Sequence, residues 1–218
     1  MSGEAPYVHR GIEAAKWLGL VLMLGDHVNL YLLDSRYPVL YLLGRLVFPL
    51  FALALGFGLA GRGSLVLRDT IRRLFVWACI AQIPWAFFTH APLLNVVFTL
   101  ACGAVLYEAV FVRGWSFGRA LLVVAAFLAG CAAEFGVAGL FVVFAALWFA
   151  ERCNAGQWVV LVLAVVLLHA VNASFFAVLA LPVFWVLYCH AEIPRIRHFF
   201  YPAYAGQFVL LAFLRYWL

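Results

Sequence analysis

The stretch LYLLGRLVFPLFALALGFGLA, residues 40–60, decides the fold class, because Arg45 is its only charged residue. About 20 consecutive apolar residues are enough to cross a lipid bilayer as an α-helix. The same character extends over the whole chain of 218 residues, of which 68% are hydrophobic and 11% are charged. Soluble domains average roughly 45–50% apolar and about 25% charged residues. The composition therefore predicts a protein that crosses the bilayer several times, and it excludes soluble enzymes, nucleic-acid-binding modules and disordered chains.

Further apolar runs follow the same pattern, and short loops containing Gly, Pro, Asn and charged residues separate them. The sequence predicts an all-α fold, a polytopic transmembrane bundle of about nine helices that forms a single domain over residues 1–218. No small-residue cleavage site follows the first run, so we expect a retained helix and not a removed leader. The expected spans are 16–33, 40–60, 71–89, 93–112, 119–134, 137–150, 157–171, 173–189 and 200–217.

The basic residues predict how this bundle is oriented, since cytoplasmic loops of membrane proteins carry an excess of Lys and Arg. With nine spans and a cytoplasmic N-terminus, only Arg36 and Arg215 fall on the far side, and Arg45 lies inside a span. We therefore expect a cytoplasmic N-terminus, a periplasmic C-terminus and a net charge of +5 that reflects orientation and not nucleic-acid binding. The basic residues expected on the cytoplasmic side are Arg10, Lys16, Arg62, Arg68, Arg72, Arg73, Arg113, Arg119, Arg152, Arg195 and Arg197.

The cysteines and the common catalytic motifs add little. The five cysteines show no C-x-x-C spacing, so we expect small hydrophobic packing residues and neither a metal site nor a disulfide framework. The sequence contains no Walker loop and no H-E-x-x-H motif. Candidate functional residues must therefore be found among the ionisable groups inside the spans.

Asp26, His27 and Arg45 are the strongest candidates, because a charged group inside a span costs at least ~2.5–3.5 kcal/mol on insertion scales. The short loop between the first two helices makes them antiparallel neighbours and brings all three residues to a similar depth in the outer half of the bilayer. Adjacent residues on a helix point about 100° apart. We therefore expect Asp26 to pair with Arg45 and His27 to face a cavity, with Tyr31 on its own side. The alternative is a purely structural Asp26–Arg45 tie with His27 as a packing residue.

Other polar residues are expected on the same outer side. Glu134 ends the fifth span and is either part of the site or an interfacial carboxylate. Asn95 opens the fourth span and is either a site residue or a helix N-terminal cap. His90 and His169 are expected to be ordinary solvated histidines near the membrane surface. On the cytoplasmic side we expect two neighbouring arginines, Arg72 and Arg73. They contact either anionic lipid or the phosphates of a ligand.

These residues lie in phrases that resemble those of the TraX family, the membrane acetyltransferases of conjugative pilin. The phrases follow one another in the family's order over most of residues 16–140, and a plasmid-borne homologue of the TrbP type fits equally well. The sequence departs from the family at Tyr204, where members often carry a His two residues after a Tyr-Pro pair. The phrases are MLGDH at 23–27, GRLVFPLF at 44–51, AQIP at 81–84, LN at 94–95 with FTL and Gly103, and EFGVAG at 134–139.

The resemblance implies acetyl transfer from acetyl-CoA to the N-terminal amine of a pilin subunit in the bacterial inner membrane. It implies a catalytic group of His27, Asp26, Arg45 and Glu134, in which His27 acts as general base or transient acetyl acceptor. The expected substrate-binding residues are Asn95 and Tyr31. The expected contacts to the CoA phosphates are Arg72 and Arg73.

Three other functions remain open on the sequence alone. An acyltransferase that acts on a glycan or a lipid would use the same chemistry on a different acceptor. A small transporter or channel would use the intramembrane charges as an ion or proton site, although the inverted repeats typical of transporters are not found. A non-enzymatic subunit of a conjugation or secretion apparatus would need no buried histidine.

Overall fold

The computed structural model describes residues 10–111, 116–196 and 199–217, and within these ranges the chain is helical without a β-strand. Two residues of the predicted cytoplasmic set, Arg113 and Arg197, lie outside the described residues. The helices are α1 (Arg10–Tyr31), α2 (Pro38–Gly44), α3 (Val47–Leu59), α4 (Ser64–Thr89), α5 (Val96–Phe111), α6 (Phe117–Cys131), α7 (Gly136–Arg152), α8 (Ala155–Leu167), α9 (His169–Asn172), α10 (Ala180–His190) and α11 (Phe200–Trp217), with a 3₁₀ turn at Phe176–Leu179.

Several of these helices join end to end, so that the described residues form nine helical units. Helices α2 and α3 combine into Pro38–Leu59, α8 and α9 combine into Ala155–Asn172, and the 3₁₀ turn continues into α10. The units Pro38–Leu59 and Ala155–Asn172, together with α4, are long and apolar enough to cross a membrane. The nine units correspond one to one with the expected spans, which confirms the all-α bundle of about nine helices.

The helices extend beyond the apolar runs at the predicted cytoplasmic end. Helix α1 begins at Arg10 and α4 begins at Ser64, several residues before the expected starts at 16 and 71. Hydropathy marks the residues that prefer lipid, whereas backbone hydrogen bonding continues through polar residues such as Arg68 and Arg72. The apolar runs therefore located the spans without locating the ends of the helices.

A proline separates α2 from α3. Pro49 has no backbone N–H, so the carbonyl of Arg45 four residues earlier lacks its helical partner. Helix α2 ends at Gly44 and α3 starts at Val47, which places the break at Arg45 and Leu46. At this break the backbone keeps right-handed helical angles, and the N–H groups of Arg45 and Leu46 donate to carbonyls three residues earlier.

Six helices form a closed ring around the middle of the bundle. Helix α1 packs on α3 and α11, α11 on α4, α4 on α5, α5 on α7, and α7 on α3. The α3–α7 contact is close, because a Cβ atom built on Gly56 would lie 2.6 Å from the carbonyl oxygen of Ala146. Such close backbone approach is typical of small residues in membrane helix interfaces.

Two loops at one end of the ring are joined by backbone hydrogen bonds. The N–H of Leu94 donates to the carbonyl of Ala132 over 3.0 Å, and the N–H of Glu134 donates to the carbonyl of Leu94 over 3.0 Å. These bonds form an isolated parallel bridge between Leu94 and Ala133. The bridge ties the start of α5 to the α6–α7 connection and so fixes the position of Glu134.

A buried asparagine holds the loop between α1 and α2. The Asn29 side chain is 1% exposed, donates to the carbonyl of Tyr37 over 3.1 Å and accepts from the N–H of Tyr37 over 2.9 Å. It supplies the partner that the N–H of Tyr37 lacks at the start of α2, while the Tyr37 carbonyl also accepts from the N–H of Leu40. The loop is thereby fixed, and with it the distance between the two helices that carry Asp26 and Arg45.

The Asn29→Leu variant is expected to lower the free energy of unfolding by about 1–3 kcal/mol, because it leaves the N–H of Tyr37 without a partner and removes one of the hydrogen bonds to the Tyr37 carbonyl. Thermal unfolding in detergent measures the change. Leu30→Ala is the matched control, because Leu30 adjoins Asn29 and is 47% exposed, and its unfolding temperature should stay close to that of the wild type. A leucine variant that unfolds at the wild-type temperature would show that this side chain does not secure the loop.

Candidate functional site

The ring encloses a cavity of about 450 Å³. Lys16 and Asp26 both line it and lie ten residues apart on α1, which corresponds to about 15 Å along the helix axis. The cavity therefore extends along the bundle and has two chemically different ends. The first end carries Asp26, His27, Arg45, Glu134 and Asn172, the second carries Lys16, Arg62, Arg73 and Arg195, and apolar side chains such as Phe51, Leu55, Leu74 and Leu100 line the middle.

Asp26 and Arg45 form an ion pair at the first end, as the sequence predicted. The distance from Arg45 Nη2 to Asp26 Oδ2 is 2.6 Å, and the side chains are 18% and 13% exposed. Gly44 makes this pairing possible, because a Cβ atom at that position would collide with the Asp26 carboxylate. The glycine next to Arg45 therefore allows α1 to approach α2 closely enough for the pair to form.

Arg45 is held from two further directions. Its Nε donates to the carbonyl of Tyr41 over 3.1 Å, and its guanidinium lies over the Tyr41 ring, 4.2 Å from the centroid. Its Nη1 donates to Asn172 Oδ1 over 3.4 Å, and the Tyr41 hydroxyl donates to the carbonyl of Asn172 over 2.8 Å. The guanidinium is thus fixed before any ligand arrives, which is what stabilisation of a developing negative charge requires.

His27 turns away from the ion pair, in agreement with the expected 100° offset from Asp26. Its Nδ1 lies 3.2 Å from Oε1 of Gln207 on α11. The rings of Tyr31 and Phe208 flank the imidazole, with centroid distances of 5.9 and 5.1 Å. Because His27 lines the cavity, the structure provides a histidine that is oriented by a neighbouring helix and faces an internal space.

Glu134 completes this end of the cavity. The bridge to Leu94 brings Glu134 next to the N-terminus of α5, and both Glu134 and Val96 line the cavity. The free N–H groups and the dipole of a helix N-terminus favour a negative charge there. The Phe135 ring stacks on Phe48 with centroids 4.2 Å apart and holds the turn in place. Of the two readings left by the sequence, this geometry favours a carboxylate within the site.

Asn95 and Tyr31 lie behind the cavity wall and do not line it. Asn95 is fully buried, donates to the carbonyl of Ala78 and to Gln82 Oε1 over 2.8 Å each, and accepts from the N–H of Val97 over 3.0 Å. It therefore caps α5 and fastens it to α4. Tyr31 packs edge-on against Phe88. Direct contact of either residue with a substrate stays a prediction.

The remaining histidines at this end are not part of the cavity lining. His90 and His169 are both exposed, and the His169 ring stacks on Phe175 with centroids 3.9 Å apart. In the part of the chain that the structure describes, no group of three His, Cys, Asp or Glu side chains is arranged to hold a metal ion. The ionisable side chains that line this end of the cavity are His27, the Asp26–Arg45 pair and Glu134.

The second end of the cavity is strongly basic. The structure separates the two neighbouring arginines that the sequence treated alike, because Arg73 lines the cavity and Arg72 is exposed elsewhere. Lys16 donates to the buried Glu13 over 2.7 Å and lies 5.6 Å from the centroid of the Phe200 ring. The cations that meet at this end come from four separate segments and all belong to the predicted cytoplasmic set: Lys16, Arg62, Arg73 and Arg195.

Sequence reasoning gave no role to several residues that the fold brings to this site. Gln207 is the single side-chain amide in the otherwise apolar run of α11. A lone polar side chain in such a run indicates that it has a polar partner, and the sequence gives no other sign of one. Asn172 directly follows the expected span 157–171, and nothing in the sequence indicates its partner, although its side chain is 2% exposed and bonded to Arg45. Tyr204, which stands where the family often has a histidine, lines the cavity near Glu134.

Comparison with known proteins agrees with the resemblance seen in the sequence. The family model described as TraX protein matches residues 12–215. The chain is 35% identical over 132 residues to Protein TraX of Escherichia coli strain K12, and 33% identical over 131 residues to another Escherichia coli Protein TraX; both matches cover 59% of this chain and 52% of the relative. The chain thus spans about half the length of the curated relatives that it matches. No solved structure matches it. The family match over nearly all of the chain, together with the apolar helical bundle, establishes a membrane protein of the TraX family.

Proposed function

We propose that this chain is a membrane-embedded acetyltransferase that transfers an acetyl group from acetyl-CoA to the N-terminal amine of a conjugative pilin subunit. The observation that carries the proposal is the single cavity with a basic end and a His27–Asp26–Arg45 end. A reaction between a phosphate-bearing donor and an acceptor on the other side of a membrane needs such a connection. The proposed location is the bacterial inner membrane.

The basic end suits the phosphates of CoA. Lys16, Arg62, Arg73 and Arg195 supply charge-assisted hydrogen-bond donors, and Arg pairs with phosphate in a two-pronged geometry. The apolar middle of the cavity suits the pantetheine arm, which carries no charge. Because the polar end lies about 15 Å further along α1, a bound arm would bring the thioester close to His27 while the nucleotide stays at the basic end.

The predicted orientation supplies each end with its substrate. With a cytoplasmic N-terminus, the basic end faces the compartment that contains acetyl-CoA. The His27 end lies in the outer half of the bilayer, where the N-terminus of a processed pilin subunit is expected. The two substrates would then meet inside the bundle without either of them crossing the whole membrane.

The proposed reaction uses His27 as general base. The acceptor ammonium first releases one proton to water, and the nitrogen of the neutral amine then attacks the thioester carbonyl carbon while the imidazole of His27 removes a second proton from it. A C–N bond forms, the C–S bond breaks, and the proton passes from His27 to the departing sulfur, so that the products are an N-acetyl group and CoA thiol. The guanidinium of Arg45, held by Asp26 and Asn172, stabilises the negative charge that develops on the carbonyl oxygen. Glu134 would hold the incoming ammonium group.

A variant of this mechanism passes through an acetyl-enzyme. In that case His27 attacks the thioester first, and the acceptor amine then removes the acetyl group from the imidazole. Single-turnover experiments without acceptor distinguish the two mechanisms, because only the second releases CoA thiol in an amount equal to the enzyme.

The proposal is tested by the mass of the candidate pilin from cells with and without this chain. Loss of one acetyl group from the pilin N-terminus in the deletion strain is the expected result, and an unchanged mass would overturn the proposal. The purified protein in nanodiscs, given acetyl-CoA and a pilin N-terminal peptide, should form the N-acetyl peptide and release CoA thiol. Glycan and lipid acceptors in the same assay test the other acyl-transfer reactions.

Neutralising the basic end should weaken acetyl-CoA binding without slowing the chemical step. Arg62→Gln and Arg73→Gln are each expected to raise the KM for acetyl-CoA by about 5–30-fold, equivalent to 1–2 kcal/mol, with little change in kcat. Arg72→Gln is the matched control, because Arg72 adjoins Arg73 and does not line the cavity. Steady-state kinetics decide the point, and equal effects of Arg72→Gln and Arg73→Gln would mean that the cavity is not the CoA site.

A further inference from the structure

A buried amide on α11 contacts the imidazole of His27. Gln207 is 6% exposed, does not line the cavity, and has its Oε1 atom 3.2 Å from His27 Nδ1. Its Nε2 atom lies 3.5 Å from the sulfur of Met23, one turn before His27 on α1. The side chain therefore links α11 to two positions of α1 and contacts His27 at its Nδ1 atom.

The sulfur of Met23 determines which way the amide of Gln207 points. A thioether sulfur is a weak acceptor and carries no proton to donate. The amide N–H therefore faces Met23 favourably, whereas the amide oxygen in that place would put two acceptors against each other. With the N–H groups on the side of Met23, the oxygen of Gln207 is the atom that faces His27.

An oxygen without a proton can only accept a hydrogen bond, so the Nδ1 atom of His27 must be the donor. In a neutral imidazole one nitrogen carries the proton and the other carries a lone pair. We infer that Gln207 is a positioning residue that keeps neutral His27 in the Nδ1–H tautomer and leaves the Nε2 lone pair for the cavity. The hydrogen bond of one ring nitrogen thereby sets the state of the other.

This state of the ring is the one that the proposed general base needs, so the inference rests on the proposed function for its role, although not for its geometry. With the proton on Nε2, the side of His27 towards the cavity would be a donor and could not accept a proton from an amine. The flanking rings of Tyr31 and Phe208 limit rotation of the imidazole. The bond to Gln207 then selects the tautomer within that fixed orientation.

Nitrogen NMR tests the tautomer directly. The full chain is labelled with ¹⁵N-histidine, placed in nanodiscs and measured at mildly alkaline pH, where histidine is neutral. The His27 signals are identified by their loss in His27→Phe. We expect the wild type to show a protonated Nδ1 and an unprotonated Nε2, and Gln207→Leu to shift His27 towards the Nε2–H form. A wild-type protein with the proton on Nε2, or a leucine variant that keeps it on Nδ1, would overturn the inference.

Kinetics of the same variants test the role of the bond. Gln207→Leu is expected to lower kcat about tenfold with an unchanged KM for acetyl-CoA, because only the reactive fraction of the enzyme contributes to the rate. Gln207→Glu keeps an oxygen acceptor at the same reach and should restore most of the rate. A purely structural role would instead lower the amount of folded protein in both variants and leave the kcat of the folded fraction unchanged, which would contradict the inference.

These measurements separate the inference from the proposed function. If the wild type shows no acetyl transfer to any acceptor but has the Nδ1–H tautomer that Gln207→Leu removes, the proposed function fails and the tautomer assignment stands. If the wild type transfers acetyl groups but carries its proton on Nε2, the inference fails and the proposed function stands.

Discussion

The His27→Ala variant is expected to lower kcat for acetyl transfer by roughly 10²–10⁴-fold, because general acid–base catalysis contributes a factor of this size. The KM for acetyl-CoA should change little, since the proposed CoA contacts lie about 15 Å away along α1. The rate of CoA thiol release with a pilin N-terminal peptide as acceptor measures the effect. The fall should persist when the rate is divided by the amount of folded protein.

His169→Ala is the matched control for this prediction. His169 lies at the same end of the bundle, is exposed and stacks on Phe175, but it does not line the cavity. We expect it to retain nearly the wild-type rate. A His27→Ala protein that is folded and transfers acetyl groups at the wild-type rate would show that this histidine is a packing residue.

Removing either charge of the Asp26–Arg45 pair is expected to cost roughly 3–5 kcal/mol of stability, because the remaining charge is left in a poorly solvated place. Asp26→Leu and Arg45→Leu should therefore unfold at clearly lower temperatures in detergent. The double variant should recover most of this loss, since replacing both charges by apolar side chains removes the unpaired group. Its acetyl transfer should nevertheless stay at the level of the single variants.

This double variant decides between the two readings of the pair. A structural tie predicts that activity returns together with stability. A catalytic role for Arg45 predicts a stable and inactive protein, because the carbonyl oxygen has lost its partner. Arg45→Lys adds a finer comparison: it keeps the charge but loses the planar set of donors that reaches Asp26, Asn172 and the Tyr41 carbonyl. We expect only partial activity from it.

The sequence was sufficient to predict the pair itself. The loop after α1 is short, so helical geometry alone placed Asp26 and Arg45 at one depth, and the high free energy of an unpaired charge in a membrane made their pairing the expected outcome. The offset of His27 followed from the 100° step between adjacent residues. These are local properties of one helical hairpin, which is why they could be derived without the rest of the fold.

The partners of these residues could not be predicted, because they come from helices far along the chain. Gln207 contacts His27 because α11 packs between α1 and α4. Asn172 contacts Arg45 because α9 ends beside α2. No periodicity in the sequence states which helix is next to which. The distinction between Arg72 and Arg73 has the same origin, because it depends on which side of α4 meets the cavity.

The closing of the ring by α11 also bears on how the protein is made. Chains grow from their N-terminus at about 5–20 residues per second, and roughly 110 residues separate the end of α4 from the start of α11. For some 5–20 s after α4 has left the ribosome, α11 is therefore missing from its place between α1 and α4, and His27 has no Gln207 beside it. During this interval the nascent bundle would open sideways to lipid. Until α11 inserts, a ribosome-bound intermediate would hold the Asp26–Arg45 pair but no enclosed cavity, so the candidate site is complete only late in translation.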